Sequence, residues 1–250
     1  MGNYSVSICM GALNEANSLR KCIETILSDC DKEDIKEILV CICDYTTDEC
    51  RQVISELQNK YPDISIQPVY QPPEEKYLGG ACRTTFPVVT GTHILVMSVD
   101  LECGPEYVSE IIRLSKENPG ALVKGSRWMR DSVFHGYGHL RKIANKVFQI
   151  YMRVLFRWSI TDYTYSFEAA PTDVFRTMYF RQNGKAATLE MVADPVSRGI
   201  EVVEFPVIWQ RREEFAHNKT PLEDFRMLCL YVATSLSIRF MKKKKIKNTD

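Results

Sequence analysis

Two carboxylates one residue apart, Asp100 and Glu102, stand just after the apolar run His93-Ile-Leu-Val-Met-Ser98. In an extended segment alternate side chains point to the same side. The pair then suits a hard divalent cation, Mg²⁺ or Mn²⁺, which takes one or two carboxylates together with phosphate oxygens and water. Such a cation offsets the charge that develops on a departing diphosphate. Solvated acids closing a strand are the plainer alternative. Asp44 follows a second apolar run, Ile38-Leu-Val-Cys-Ile-Cys43. A carboxylate there can accept the imide N–H of uracil or the N–H groups of guanine. Glu15, next to Asn14, is expected to meet a ribose or base, or else to favour a helix N-terminus through the dipole. Thr46 and Asp48 suit the cap of a helix as well as a ligand. Gly79-Gly80-Ala81 lets backbone approach closely, and a helix starting there would face a diphosphate; a turn alone would use the same residues. Arg83 is a phosphate or base contact, or a solvated helix arginine.

The elements that must position these residues alternate regularly through the first half. Strands are expected over 4–10, 38–43, 65–70 and 93–98. Helices are expected over 15–27, 48–60, 80–89 and 105–116, from apolar residues at helical spacing and from Pro105 at a first helical position. This rhythm predicts an α/β fold with a mostly parallel sheet flanked by helices, in a single domain. Ligands of such sheets bind beyond the carboxyl ends of the strands. Asn14-Glu15, Asp44 to Asp48 and Ser98 to Glu102 all fall there. The second half is less regular, with a strand over 122–128, a long amphipathic helix over 140–156, a strand over 201–209 carrying Pro206, and a helix over 222–240. Lys242 to Lys245 form a basic tail.

Lys plus Arg equals Asp plus Glu, 32 each in 250 residues, so charge makes no case for nucleic acid as a partner. No apolar run reaches the roughly 18 residues of a membrane span. The first residues lack the basic start and apolar core of a signal peptide, which predicts a cytoplasmic chain whose nine cysteines stay reduced and mostly buried. The basic tail, with Leu228, Tyr231, Val232 and Leu236 on the preceding helix, allows peripheral contact with the inner face of a membrane, or is simply a solvated end.

Seven short motifs occur in order: Met10-Gly-Ala-Leu-Asn-Glu15, Cys43-Asp-Tyr-Thr-Thr-Asp48, Leu78-Gly-Gly-Ala81, Met97-Ser-Val-Asp-Leu-Glu102, Gly125-Ser-Arg-Trp128, Asp162-Tyr-Thr-Tyr-Ser-Phe167, and Glu204-Phe-Pro followed by Arg212. In these, from about residue 5 to about residue 220, the chain resembles the family 2 glycosyltransferases of GT-A fold, particularly the dolichol-phosphate-mannose-synthase-like branch. The resemblance implies a GT-A-like domain over 1–240. Its nucleotide-sugar half would be residues 1–120, its acceptor half 121–220, and its C-terminal helix 221–240, with 241–250 the tail. It implies a nucleotide-sugar site of Ala12, Asn14, Glu15, Asp44, Gly80, Arg83 and Asp100, with metal at Asp100 and Glu102. Catalytic roles would fall to Asp162, Arg127 and Arg212, and acceptor contacts to Arg127, Arg141 and Arg212. Arg141-Lys142 also fits a wet helix face. Guanidinium groups hold phosphate bidentately. A phosphate acceptor is already anionic and needs positioning; a hydroxyl needs a general base, for which Asp162 is the first candidate, unless it is a cap or loop anchor. His217 would touch the diphosphate or lie on a surface loop.

The chain departs from the family pattern at Cys43 and Ser98, where Asp is usual, at Ser166 and Phe215, where Gly is usual, and at Glu168, where Arg is usual. The implied activity is inverting transfer of a sugar from a UDP- or GDP-linked donor to a lipid-phosphate or surface-glycan acceptor. A non-catalytic nucleotide-sugar binder and a nucleotidyltransferase are the alternatives. The second would more naturally carry a Gly-rich, basic loop after the first strand, and Gly11-Ala-Leu-Asn-Glu15 is not one.

Overall fold

The computed structural model describes residues 4–102, 104–211 and 220–240. A seven-stranded sheet runs through the protein, built from β1 (Val6–Gly11), β2 (Ile35–Ile42), β3 (Ile66–Tyr70), β4 (His93–Val96), β5 (Leu122–Ser126), β7 (Glu168–Pro171) and β8 (Val202–Pro206). Its order is β3-β2-β1-β4-β7-β5-β8. β1 pairs in parallel with β2 and β4, β2 with β3, and β5 with β8; β7 alone is antiparallel, wedged between β4 and β5. Two antiparallel pairings in succession return β5 to the direction of β4. Strands β1, β2, β3, β4, β5 and β8 therefore all end at one rim, and β7 starts there. A separate two-stranded parallel sheet joins β6 (Val133–His135) to β9 (Ile208–Gln210).

The parallel strands read as continuous apolar runs because both faces are covered. One face of Ile8, Ile38, Val40 and Leu95 packs with Leu19, Ile23 and Ile26 of α1 (Ala16–Asp29) and with Val53, Ile54 and Leu57 of α2 (Asp48–Lys60). Val108 and Ile111 of α4 (Val108–Glu117) belong to the same core. On the other face Cys9, Leu39, Ile94 and Val96 pack with Cys82 of α3 (Tyr77–Thr85), Val174 of α6 (Thr172–Arg176) and Met191 of α7 (Ala187–Ser197). A third cluster joins Phe148 and Met152 of α5 (His139–Phe156) to Leu189, Val192 and Tyr231, the last on α8 (Pro221–Phe240). Among the described residues no cysteine forms a disulfide, and Cys9, Cys22, Cys41, Cys50 and Cys82 are buried.

The expected strands and helices of the first half are present. Most boundaries shift by one to three residues, the helix expected from Pro105 opening as a 3₁₀ turn over Pro105–Tyr107 before α4, and two elements of the chain change more. The helix expected from Gly80 starts at Tyr77 and ends at Thr85, a 3₁₀ turn over Phe86–Val88 taking the rest. The strand expected over 201–209 breaks at Val207 into β8 and β9, which join different sheets. β6, β7, α6 and α7 have no counterpart in the sequence pattern. β7 is only four residues, Glu-Ala-Ala-Pro, too short for a period-2 signal and poor in β-branched residues.

Candidate functional site

The rim collects the loops that the sequence singled out. After β1, the Ala12 N–H donates to the Cys41 carbonyl, and the Ala12 carbonyl accepts from Thr46 Oγ1 at 2.8 Å. Thr47 N–H donates to Leu13 O, so the loops after β1 and β2 are stitched together. Thr47, rather than Thr46, caps α2, through its contact with Cys50 N–H. Asp44 is exposed at the lip of β2, and Tyr70 Oη at the end of β3 donates to its Oδ1 at 2.6 Å. That bond raises the Tyr70 phenol pKa. Asn14 is exposed, whereas the Glu15 carboxylate turns back to accept the N–H groups of Leu13 and Asn14, both at 3.0 Å. Glu15 thus shapes the loop after β1.

Beyond β4 the chain bends instead of extending. Leu101 has a left-handed φ of 57°, and Asp100 Oδ1 accepts the Glu102 N–H at 3.1 Å. A left-handed conformation is uncommon for a bulky residue and is held here by its surroundings. The expectation of an extended Asp100-Leu101-Glu102 segment is therefore corrected: the two acids are arranged by a turn. The turn is fastened to β9, whose Gln210 N–H donates to the Glu102 carbonyl and whose Trp209 Nε1 donates to Glu102 Oε2 at 3.3 Å. Trp209 stands edge-on to Tyr137, and Phe134 and Trp128 continue the aromatic group. Among the described residues no cluster of three or more His, Cys, Asp and Glu gathers. The two carboxylates fit Mg²⁺ or Mn²⁺ in kind, since these ions take most of their oxygens from phosphate and water.

On the other side of the rim, Arg127 follows β5 and Asp162 precedes β7. Their side chains form a bidentate pair, Nε to Oδ2 at 2.7 Å and Nη2 to Oδ1 at 3.0 Å, with both residues buried. The Arg127 guanidinium also lies 4.6 Å from the Tyr165 ring centre. Burial works to raise the Asp162 pKa, but Arg127 outweighs it and holds the carboxyl at about 2. Buried Lys124 donates to the carbonyls of Asp162 and Tyr165, at 2.6 and 3.3 Å. Glu204 of β8 accepts from Thr161 N–H and Asp162 N–H. From α5, Gln149 Oε1 accepts Tyr163 N–H and Gln149 Nε2 donates to Thr164 Oγ1. Asp162 is thus an anchor of its loop. Its depressed pKa makes it a weak proton acceptor, against the expectation of a general base.

Several expected contacts are occupied by the protein itself. Gly79 and Gly80 lie inside the first turn of α3 and admit neighbouring backbone: a Cβ at Gly79 would sit 1.9 Å from the Gln182 carbonyl oxygen, and one at Gly80 2.8 Å from the Glu75 carbonyl carbon. Their close packing corrects the expectation of a phosphate cradle. Arg83 is held by Glu75 and by the Asn183 side chain. Arg141 pairs with Asp224 of α8 at 2.7 Å. Arg212, Phe215 and His217, and the tail Lys242 to Lys245, lie outside the described residues.

Sequence reasoning passed over Lys124, Gln149, Tyr137 and Trp209. A lysine inside the apolar run Leu122-Val-Lys-Gly was a usable signal; the others became neighbours of the site only through the fold. Glu168 also went unassigned beyond its departure from the family. It is wholly buried at the start of β7, and neither carboxylate oxygen has a hydrogen-bond partner among the described residues. Burial pushes its pKa up to about 7, with Lys124 opposing.

Comparison with known proteins adds three findings. The family model described as Glycosyl transferase family 2 matches residues 7–179. The low-salt glycan biosynthesis hexosyltransferase Agl6 of Haloferax volcanii is 21% identical over 210 residues, covering 84% of this chain and 48% of that protein. The chain therefore spans about half the length of that curated relative. Crystal structures of glucosyl-3-phosphoglycerate synthase from Mycobacterium tuberculosis share the fold. The complex with Mn²⁺, UDP and glucosyl-3-phosphoglycerate superposes with a TM-score of 0.69 at 18% identity, over 97% of this chain and 82% of that one. The complex with Mn²⁺, UDP-glucose and glycerol 3-phosphate gives 0.67 with the same identity and coverage. With a family match spanning most of the sequence and a sheet of the same architecture, the chain belongs to the glycosyl transferase family 2.

Proposed function

We propose that the chain transfers a hexosyl group, with inversion, from a UDP- or GDP-linked donor to a lipid-phosphate or surface-glycan acceptor, with help from Mn²⁺ or Mg²⁺. The observation that carries this reading is the shared rim of β2 and β4, which holds Asp44 and Asp100 on either side of the loop after β1. Asp44 would accept N–H groups of the base, with Tyr70 fixing its carboxylate. The loop of Ala12, Asn14 and Glu15 would border the ribose. Asp100 and Glu102 would hold the cation, which supplies charge stabilisation to the departing diphosphate when bound. Ser98 stands where the family usually has a further Asp, and it would act through water. The complexes of the mycobacterial synthase with UDP and Mn²⁺ favour UDP over GDP as the nucleotide.

Residues 1–120 would then be the donor half and residues 121–220 the acceptor half of one domain. The role of Arg127 and Asp162 in this reading is to hold the loop over 161–167 against β5, so that the acceptor pocket has a rigid wall. Arg212 remains the cation proposed for the acceptor or diphosphate, since Arg127 and Arg141 are already paired. Peripheral membrane contact through α8 and the basic tail, on the inner face of a membrane, is part of the same proposal. Among the described residues no helix is long and apolar enough to cross a membrane.

Melting curves with UDP, GDP, CDP and dTDP, each with and without Mn²⁺, test the donor site. A nucleotide at 100 times its Kd should add roughly 2.7 kcal/mol. A metal-dependent shift with UDP or GDP is expected. No shift with any nucleotide would overturn the reading. A shift without turnover of any nucleotide-sugar would favour a non-catalytic binder, for which the replacements at Cys43 and Ser98 are the supporting observation.

A further inference from the structure

Helix α5 has two unlike faces. Phe148, Gln149 and Met152 are buried, and Asn145 and Gln149 reach into the acceptor-side network, where Asn145 Oδ1 accepts Trp128 Nε1 at 2.8 Å. The opposite face carries Leu140, Ile143, Val147, Ile150 and Val154, each between 51% and 84% exposed. Their spacing of three and four residues makes one continuous apolar stripe along the whole helix. Among the described residues nothing covers it, and exposed apolar stripes of this length are unusual on a soluble surface. From His139 to Ile160 the sequence has five Lys and Arg residues and no Asp or Glu. Beside α5, α8 exposes Phe225, Leu236 and Phe240, and Tyr151 of α5 bonds to Ser235 of α8.

We infer that the outer face of α5 is a docking surface for a bilayer that carries anionic lipid headgroups. An apolar stripe bordered by cations is the pattern of helices that lie in the plane of a membrane interface. Charge decides between occupants. A second copy packed α5 against α5 would bring cations toward cations with no carboxylate on either helix to answer them. Arg141 is already held by Asp224, but Lys142, Lys146, Arg153 and Arg157 meet no carboxylate among the described residues. An anionic bilayer answers these four and covers the apolar stripe as well. The geometry then has a consequence for the reaction: the helix that rests on the lipid is the same one whose inner face braces Trp128 and the loop over 161–165. A lipid-linked acceptor would reach that loop without leaving the bilayer surface. This inference rests on the membrane contact proposed above and moves its centre from the C-terminal tail to α5.

The test uses the full chain and two kinds of vesicle, phosphatidylcholine alone and phosphatidylcholine with about one third phosphatidylglycerol. Cosedimentation with the anionic vesicles only is expected. A variant carrying Ile143→Gln, Val147→Gln and Ile150→Gln should bind them at least about tenfold more weakly, because its apolar stripe is gone. These positions are exposed, and an unchanged melting curve would show that the variant is folded; Ile143→Gln alone is the milder check. Binding that survives the triple substitution would overturn the inference. So would binding lost only when Lys242 to Lys245 are changed to serine. A wild-type dimer that the triple variant turns into a monomer, with no vesicle binding, would assign the stripe to a second copy and overturn it too. UDP-induced melting shifts on the same samples report the donor site separately, so either reading can fail while the other stands.

Discussion

Arg127 and Asp162 meet as a buried, bidentate ion pair between the end of β5 and the loop that leads into β7. Two residues that the sequence offered as phosphate ligand and proton acceptor are spent on each other. The pair joins the two ends of a 35-residue excursion that includes β6 and all of α5. Its geometry is that of a fastener, holding the loop that leads into β7 against the end of β5.

Breaking this pair should therefore be costly. Removing one partner of a buried pair leaves an uncompensated charge and costs about 3–5 kcal/mol. Asp162→Asn and Arg127→Met should each lower the melting temperature strongly, and the double variant should lose less than the sum. A double-mutant cycle by chemical denaturation measures this; additive losses would show that the pair is not coupled.

Acid should release the same contribution. Asp162 has a folded pKa of about 2 against about 3.9 unfolded. A depressed carboxyl stabilises fully above its unfolded pKa and loses that contribution as pH falls through its folded one. Wild type should thus lose more stability than Asp162→Asn between about pH 4 and pH 2. Denaturant titrations across that window check it.

Glu168 has the opposite sign. Its folded pKa is raised to about 7 by burial, against about 4.3 unfolded. The folded state then binds more protons between these values, so stability falls as pH rises through them. Glu168→Gln removes the ionisation and should be the more stable protein at pH 8, by on the order of 3–4 kcal/mol. Melting curves from pH 5 to 8 should converge at the acid end.

Gly79 should not tolerate a side chain. A methyl group there would overlap the Gln182 carbonyl oxygen. Overpacking of this kind costs about 1–3 kcal/mol. Gly79→Ala should lower the melting temperature and weaken the docking of the loop over 180–183 on α3, read by faster proteolysis within that loop. Gly138→Ala, in open space, is the control.

Asp100→Asn should leave the fold intact and remove the metal-dependent part of the UDP melting shift. If the proposed transfer is right, turnover should fall by at least about 100-fold, the scale of losing one charge-stabilising group. An unchanged metal dependence would move the cation away from Asp100.

Much of the rim beyond β1, β2 and β4 is legible in the sequence by itself. The apolar runs ending at Cys43 and Ser98 mark buried parallel strands, and Asp44 and Asp100 belong at the rim because such strands deliver their succeeding loops to one edge. These are local properties: strand burial, helix spacing and chain order act over a few residues at a time. The tertiary structure decided what no local pattern encodes. β7 is a strand because β4 and β5 leave a slot between them, and its four residues carry no signal of their own. Leu101 takes a left-handed turn because Trp209 and Gln210, a hundred residues away, hold Glu102. Arg127, Arg83 and Arg141 each read as a free cation in sequence, but a guanidinium takes the carboxylate or carbonyl that folding brings to it. Partner choice among charges is settled by distance in space, and the sequence alone does not contain that distance.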